Sequence, residues 1–149
     1  MLVSWESFAD DGSTLLPLGD GALGQLMYTA DGHVSAQLVR ADQQVFGSDD
    51  WREATPAEMT AAWPNYFGYF GTYTIDADNA AITHHIESGW FPNLVGTKQL
   101  RHFRFDAQRL VARRRYVLGS RQDRLGASAT LTCRAVALSR TSAARCVCA

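Results

Sequence analysis

The sequence predicts an all-β domain, a sandwich or a barrel, with one short helix. Short runs rich in β-branched and aromatic residues recur along most of the chain, separated by turn residues at close spacing. An Asp-Gly pair separates two such runs, and only residues 55–63 carry helix start and stop signals. The length of 149 residues fits one domain, and the 46% of hydrophobic residues suffices for a core.

The first strands are predicted at residues 2–8 and 15–18, with turn residues between them. A hairpin follows, in which residues 24–29 and 33–40 flank Asp31-Gly32. This pair supplies the positive backbone dihedrals that a tight hairpin turn requires. In the second hairpin strand, alternation puts a mostly polar set on one face and a small apolar set on the other.

One helix is predicted at residues 55–63, after a polar loop over residues 41–54. Thr55 can cap it, Pro56 suits the first helical position, and Glu58 completes a capping box. Met59, Ala62 and Trp63 form an apolar stripe, and Pro64 ends the helix.

Further strands are predicted in the middle and last parts of the chain, where β-branched and aromatic residues recur between turns. They lie at residues 69–76, 81–88 and 97–105, with weaker candidates at 109–112, 115–118 and 129–136.

Charge is distributed unevenly, although the net charge is only −1. Residues 1–100 carry three basic residues against thirteen acidic ones, and residues 101–149 carry eleven arginines against two aspartates. Beyond His102-Phe103, Phe105 and Tyr116, aromatic residues are not interleaved with these arginines, and no recognition motif is present, so we expect no nucleic-acid partner. The sequence therefore favours attraction between two surfaces of one fold, or a solvated basic tail.

The remaining features exclude several protein classes. No apolar run approaches the roughly 18 residues of a membrane helix, and the N-terminus resembles no secretory signal. The three cysteines all lie near the C-terminus, which is typical of reduced thiols and of a cytoplasmic protein. His84 and His85 point to opposite faces of one strand, so we expect no metal site, and no motif calls for a cofactor. A homodimer is left open.

Several of these runs, taken together and in order, resemble the lipocalin-like domain family of bacteria and fungi. The resembling segments are residues 2–6, 28–35, 69–73, 83–87 and 91–96, then Gln99, Arg101 and Arg109-Leu110. The resemblance implies a closed up-and-down antiparallel barrel of about eight strands, with one accessory helix and an interior cavity for a small ligand. Family members usually begin several residues earlier, which implies a shortened first strand here. We expect the barrel to span residues 1–136 and residues 137–149 to be an unstructured tail.

The candidate site is the interior of this barrel, where alternate residues of each strand point inward. We expect the inward polar faces to include His33, Ser35 and Gln37, then Thr83, His85 and Glu87, then Gln99 and Arg101. Arg101 either binds a ligand carboxylate or enolate, or pairs with Glu87 for structural reasons. The predicted ligand-binding residues are Tyr28, His33, Ser35, Gln37, Tyr69, Tyr73, His85, Trp90, Gln99, Arg101 and Phe103.

Two functions are compatible with this pocket. The first is binding of a small, largely apolar metabolite without turnover, in a carrier, sequestering or sensing role. The alternative is a cyclase, isomerase or dehydratase acting on a polyketide- or terpenoid-like intermediate of secondary metabolism. In that alternative, His85 or Glu87 moves a proton and Arg101 stabilises developing negative charge.

Overall fold

The computed structural model describes residues 2–8, 13–106, 109–114 and 129–134. Within these ranges the chain forms nine strands and one α-helix. The strands are β1 (Leu2–Phe8), β2 (Thr14–Leu15), β3 (Leu23–Tyr28), β4 (His33–Val39), β5 (Tyr66–Asp76), β6 (Ala81–Gly89), β7 (Lys98–Asp106), β8 (Arg109–Arg114) and β9 (Ala129–Arg134). The helix is α1 (Pro56–Ala62), and short 3₁₀ turns lie at Trp51–Glu53, Trp63–Asn65 and Pro92–Leu94. The predicted strand at 115–118 and the predicted tail lie outside the described residues.

All nine strands belong to one antiparallel sheet, in the order β2-β1-β9-β8-β7-β6-β5-β4-β3. From β3 to β9 each strand pairs with the next along the chain, and β9 then pairs with β1. The sheet curls strongly, because Trp5 of β1 packs on Phe67 of β5 although four strands lie between them in the sheet. The prediction of a β domain with one short helix is confirmed, and the curled sheet forms a half-barrel.

Of two local predictions, the capping box is confirmed in full and the turn in part, because only the glycine of the Asp31-Gly32 pair has a positive φ. Gly32 has a φ of 91° in the turn between β3 and β4, and Tyr28 pairs with Val34 directly beside it. At the start of α1, the Thr55 side chain accepts a hydrogen bond from the Glu58 backbone N–H. The Glu58 carboxylate in turn accepts one from the Thr55 backbone N–H. Local capping chemistry therefore acts as the sequence predicts, and turn chemistry does so in part.

The predicted apolar stripe of α1 packs less than expected. No residue of the helix is buried, and Met59 and Trp63 are about half exposed. Trp63 instead stacks beside Trp90, with ring centroids 4.5 Å apart. None of the helices in the described ranges has the length and apolar character needed to cross a membrane.

The core lies on the inner, concave face of the sheet. In β4, Val34, Ala36 and Leu38 are buried, while the alternate residues are only partly buried or exposed. Register extends this inner face across the neighbouring strands, because directly paired residues point the same way. The buried core cluster comprises Leu18, Leu26, Tyr28, Val34, Ala36, Leu38, Tyr69, Ile82, Ile86, Leu94 and Leu110.

An irregularity in the β5–β6 pairing sets which residues of β6 point inward. The register shifts between Phe70 and Gly71, so that Gly71 pairs with Ile86 and Tyr73 pairs with His84. A Cβ atom at position 71 would collide with the carbonyl oxygen of His85, so the close approach of the two strands requires glycine there.

Candidate functional site

A fully buried histidine lies at the centre of the inner face. His84 is 0% exposed, and both of its ring nitrogens have tyrosine partners. The hydroxyl of Tyr28 lies 2.8 Å from Nε2, and the hydroxyl of Tyr69 lies 2.8 Å from Nδ1. Three residues from three strands are thereby joined in one buried hydrogen-bonded chain.

Strand alternation explains why a polar side chain lies so deep. His84 sits between Ile82 and Ile86 on the alternate positions of β6, and all three are buried. Burying the two isoleucines fixes the face, so His84 is carried inward with them. Tyr28 at the end of β3 and Tyr69 in β5 supply the polar atoms that a buried imidazole needs.

Arg101 extends this hydrogen-bonded chain by one residue. It lies on β7, paired with Ile82 of β6, and its Nη2 donates to the Tyr69 hydroxyl oxygen at 3.2 Å. With its oxygen accepting from Arg101, Tyr69 is suited to donate its own proton to Nδ1 of His84. In the tautomer that carries its proton on Nε2, His84 then donates to Tyr28, which gives a hydrogen-bonded chain that runs in one direction from Arg101 to Tyr28.

The imidazole of His84 is neutral under ordinary conditions. Burial, the positive charge of Arg101 and the neighbouring His85, in that order of importance, together lower the pKa of His84 to about 2. A neutral ring has one donor and one acceptor nitrogen, which matches its two tyrosine partners. His84 can therefore relay a proton between two hydroxyls without carrying a charge at neutral pH.

Gln99 is the second buried polar residue of this face. It is 3% exposed and pairs in register with His84. Its Nε2 donates to the Thr97 hydroxyl oxygen at 2.8 Å, while its Oε1 has no hydrogen-bond partner among the described residues. A buried acceptor left without a donor lowers the stability of a folded protein by about 1–3 kcal/mol, so buried oxygens without a donor are uncommon.

Aromatic rings surround the hydrogen-bonded chain of Arg101, Tyr69, His84 and Tyr28, which we call the polar chain. Tyr28 and Tyr73 meet edge to face with ring centroids 5.0 Å apart, and the Tyr73 hydroxyl donates to the Thr29 carbonyl oxygen. Trp90 contacts Phe91 and Phe67 on the same side of the sheet as Trp63. The site is thus a small set of polar groups within a largely apolar and aromatic surface, as in most small-molecule sites.

Part of the predicted set lies on this inner face. It consists of Tyr28, Tyr69, Tyr73, Gln99, Arg101 and Phe103, which are buried or partly buried and share the face with the core cluster. Trp90 lies just after β6 and packs on the aromatic side chains that border the core.

The expected orientation of β4 is wrong, because its apolar residues point inward. His33 is exposed and lies beside Asp31, with 3.3 Å between Nδ1 and Oδ1. Gln37 donates to the Ser35 hydroxyl at 3.1 Å and accepts from Tyr66 on the outer face. Burial of the hydrophobic side chains determines which face of the strand points inward, so the alternate, polar side chains point outward.

The expected orientation of β6 is also reversed. His85 lies on the outer face, where its Nε2 is 3.1 Å from the Thr74 hydroxyl oxygen, and Glu87 is exposed. Glu87 therefore lies on the opposite face from Arg101, so the alternative in which these two residues pair for structural reasons is wrong. The inward histidine is His84, and the signal for it was its position between two isoleucines.

Metal-binding groups are sparse in this part of the protein. Within the described ranges, no three side chains of His, Cys, Asp or Glu lie close enough together to hold a metal ion. Of the cysteines, Cys133 pairs through its backbone with Leu2 and Leu110, and Cys146 and Cys148 lie outside those ranges.

Comparison with known proteins adds one finding to this geometry. A family model described as a lipocalin-like domain matches residues 1–135. No curated protein matches the chain.

Proposed function

Because the chain belongs to the lipocalin-like domain family, we propose that it binds a small, largely apolar metabolite that carries an anionic group. The observation that carries this proposal is the guanidinium of Arg101, the charged group on an inner face whose other residues are neutral and mostly apolar or aromatic. The ligand would lie inside the curled sheet, in a carrier, sequestering or sensing role. We also propose that the sheet closes into a barrel around it, which the Trp5–Phe67 contact supports.

The chemistry of the inner face matches an amphiphilic acid. Phe67, Phe91 and Phe103 are only partly buried and offer apolar surface for the body of a ligand, since burying such surface is favourable. A guanidinium presents several N–H donors in a fixed plane, which suits a carboxylate or an enolate oxygen. In surroundings of low polarity the attraction between the two charges is stronger than in water.

Calorimetric titration with a matched pair of probes tests this proposal. Naphthoate carries the anionic group, and naphthalenemethanol keeps the ring system without the charge. We expect the Arg101→Met variant to bind naphthoate at least tenfold more weakly than the wild type and to bind naphthalenemethanol about equally. Arg104→Met is the matched control, because Arg104 is exposed on the opposite face of the same strand. Equal naphthoate binding by the wild type and Arg101→Met would contradict the proposal.

A second function is favoured by the chain of residues at His84. In an enolisation step the Tyr69 oxygen would take the substrate α-proton while the Tyr69 proton passes to Nδ1 of His84. The Nε2 proton passes to Tyr28 and the Tyr28 proton leaves to solvent, so that the imidazole stays neutral and Arg101 stabilises the negative charge on the enolate. This arrangement suits an isomerase, cyclase or dehydratase that acts through an enolate. Tyr69 and His84 would take the proton-moving role, together with Arg101.

Hydrogen–deuterium exchange of an enolisable apolar ketone separates the two functions. We expect an enzyme of this kind to accelerate exchange of the α-hydrogens of β-tetralone in D₂O, followed by proton NMR. Tyr69→Phe would abolish the acceleration, and His85→Gln would leave it unchanged because His85 lies on the outer face. Exchange at the uncatalysed rate would favour binding without turnover.

A further inference from the structure

We infer that the bound molecule carries an O–H or N–H donor as well as its anionic group, and that Gln99 selects for this donor. The inference rests on the proposed function, since it concerns the same interior site. It starts from the Oε1 atom of Gln99, which is buried and has no hydrogen-bond partner among the described residues.

The orientation of the Gln99 amide is fixed by its neighbour Thr97. The Thr97 hydroxyl donates its only proton to the Leu94 carbonyl oxygen at 2.7 Å. Towards Gln99 it can therefore only accept, and it receives Nε2–H at 2.8 Å. The NH₂ end of the amide is thereby held against Thr97, and the carbonyl oxygen Oε1 points the other way.

The neighbouring imidazole cannot satisfy this oxygen. His84 pairs with Gln99 in register, so the two side chains share the inner face. Both ring nitrogens of His84 are engaged, however, by the hydroxyls of Tyr28 and Tyr69. A donor for Oε1 must therefore come from elsewhere, and we infer that a molecule bound inside the curled sheet supplies it.

Gln99 and Arg101 together define a two-point pattern. They occupy alternate positions of β7, so their Cα atoms are about 7 Å apart on the same face. Arg101 offers donors to an anionic oxygen, while Gln99 offers an acceptor to a hydroxyl or amide proton. The complementary ligand is an apolar acid with a distant donor, such as a hydroxylated aromatic or polyketide-like acid. An analogue without the donor leaves Oε1 unpaired and is discriminated against.

Calorimetric titration of the wild type with hydroxynaphthoate isomers, their O-methyl ethers and unsubstituted naphthoate tests this inference. We expect at least one isomer with its hydroxyl on the far ring to bind about tenfold more tightly than its ether and than naphthoate, the effect of one buried hydrogen bond. The isomer with adjacent hydroxyl and carboxylate bonds internally and should gain nothing.

Gln99→Leu and Gln99→Met should remove the preference for the hydroxyl while leaving the affinity for naphthoate within about twofold. Gln25→Leu is the matched control, since Gln25 lies on the outward-pointing positions of β3. Equal affinities of hydroxyl, ether and naphthoate for the wild type would overturn the inference, as would a preference that survives in both Gln99 variants. The proposed function stands in those cases if Arg101→Met weakens naphthoate binding. It fails, and the inference with it, if no member of the series binds.

Discussion

The rings of Trp5 and Phe67 lie 5.2 Å apart, with 39° between their planes. Their strands, β1 and β5, are separated in the sheet by β9, β8, β7 and β6. A flat sheet would keep strands that far apart at about 24 Å, because adjacent strands are about 4.8 Å apart. This single contact therefore measures how far the sheet curls, and it lies beside the inner face that holds the polar chain.

Replacing both rings tests whether this contact stabilises the curled form. We expect Trp5→Ala and Phe67→Ala each to lower the free energy of unfolding by about 2–4 kcal/mol. The double variant should lose about 0.5–1.5 kcal/mol less than the sum, which is the coupling typical of an aromatic pair. Urea unfolding followed by circular dichroism measures all four proteins.

Phe70→Ala is the control for this cycle, because Phe70 is half exposed on the same strand and should cost under about 1 kcal/mol. Strict additivity of Trp5→Ala and Phe67→Ala would mean that the contact contributes nothing to the curled form.

Replacing the imidazole of His84 should lower the free energy of unfolding, because two buried tyrosines bond to it. His84→Phe keeps a ring of similar size but removes the hydrogen bond that the hydroxyls of Tyr28 and Tyr69 each make with the imidazole, although Tyr69 still accepts from Arg101. We expect a loss of about 2–5 kcal/mol of unfolding free energy, since each unsatisfied buried group costs about 1–3 kcal/mol. Adding Tyr28→Phe to His84→Phe should restore part of it. His85→Phe, on the outer face, should change stability by under about 1 kcal/mol.

The stability of the fold should depend on pH through His84. Burial holds the pKa of His84 at about 2 in the folded protein, against 6.5 as the ordinary value. Between these values the unfolded chain binds a proton that the folded protein excludes, so stability is lost as the pH falls below 6.5. For one such histidine, the loss from pH 7 to pH 5 is about 2 kcal/mol.

Urea unfolding of the wild type and of His84→Gln at several pH values isolates this contribution, because other titrating groups are common to both proteins. We expect the difference in unfolding free energy between them to shrink by about 2 kcal/mol from pH 7 to pH 5. A difference that stays constant over this range would show that His84 titrates alike in the folded and unfolded chain.

Substituting Gly71 should disrupt the β5–β6 pairing. An added Cβ would collide with the His85 carbonyl oxygen and lie 3.0 Å from the Glu87 backbone nitrogen, and neither backbone atom can move without breaking the ladder. We expect Gly71→Ala to lower the unfolding free energy by about 3 kcal/mol or more, measured by urea unfolding. At Gly47 the nearest atom is a Glu58 side-chain oxygen at 3.6 Å, so Gly47→Ala should be almost neutral. Similar effects at both positions would refute this steric account.

Local sequence signals predicted the hairpin turn and the helix start well. Asp31-Gly32 and the Thr55–Glu58 capping box each depend on a few adjacent residues, and the structure forms both. The pairing of β1 with β9 has no local signal, because it joins residues more than 120 positions apart. That part of the architecture was expected only from the resemblance to a family.

The orientation of β4 and β6 shows where the site prediction failed. A ligand site suggested that polar residues such as His33 and His85 would point inward, but burial of Val34, Ala36, Ile82 and Ile86 outweighs this. Counting apolar residues on each face would have placed His84 inside. The partners of His84 were not predictable in the same way, since Tyr28 reaches it from β3, three places away in the sheet, and Tyr69 lies four residues along β5 from Tyr73, the residue that pairs with His84.

The bond between Tyr28 and His84 has a consequence for the edge of the sheet. Among the strands that the structure describes, β3 is the last on its side and has a backbone ladder only with β4. Tyr28, at its end, is nevertheless tied across the interior to β6, three places away. An edge strand normally frays first, and its amide protons exchange early with solvent. The cross-link makes the Tyr28 end of β3 behave like an interior strand, so its amide protons should outlast those of the other edge, β2, in heavy water.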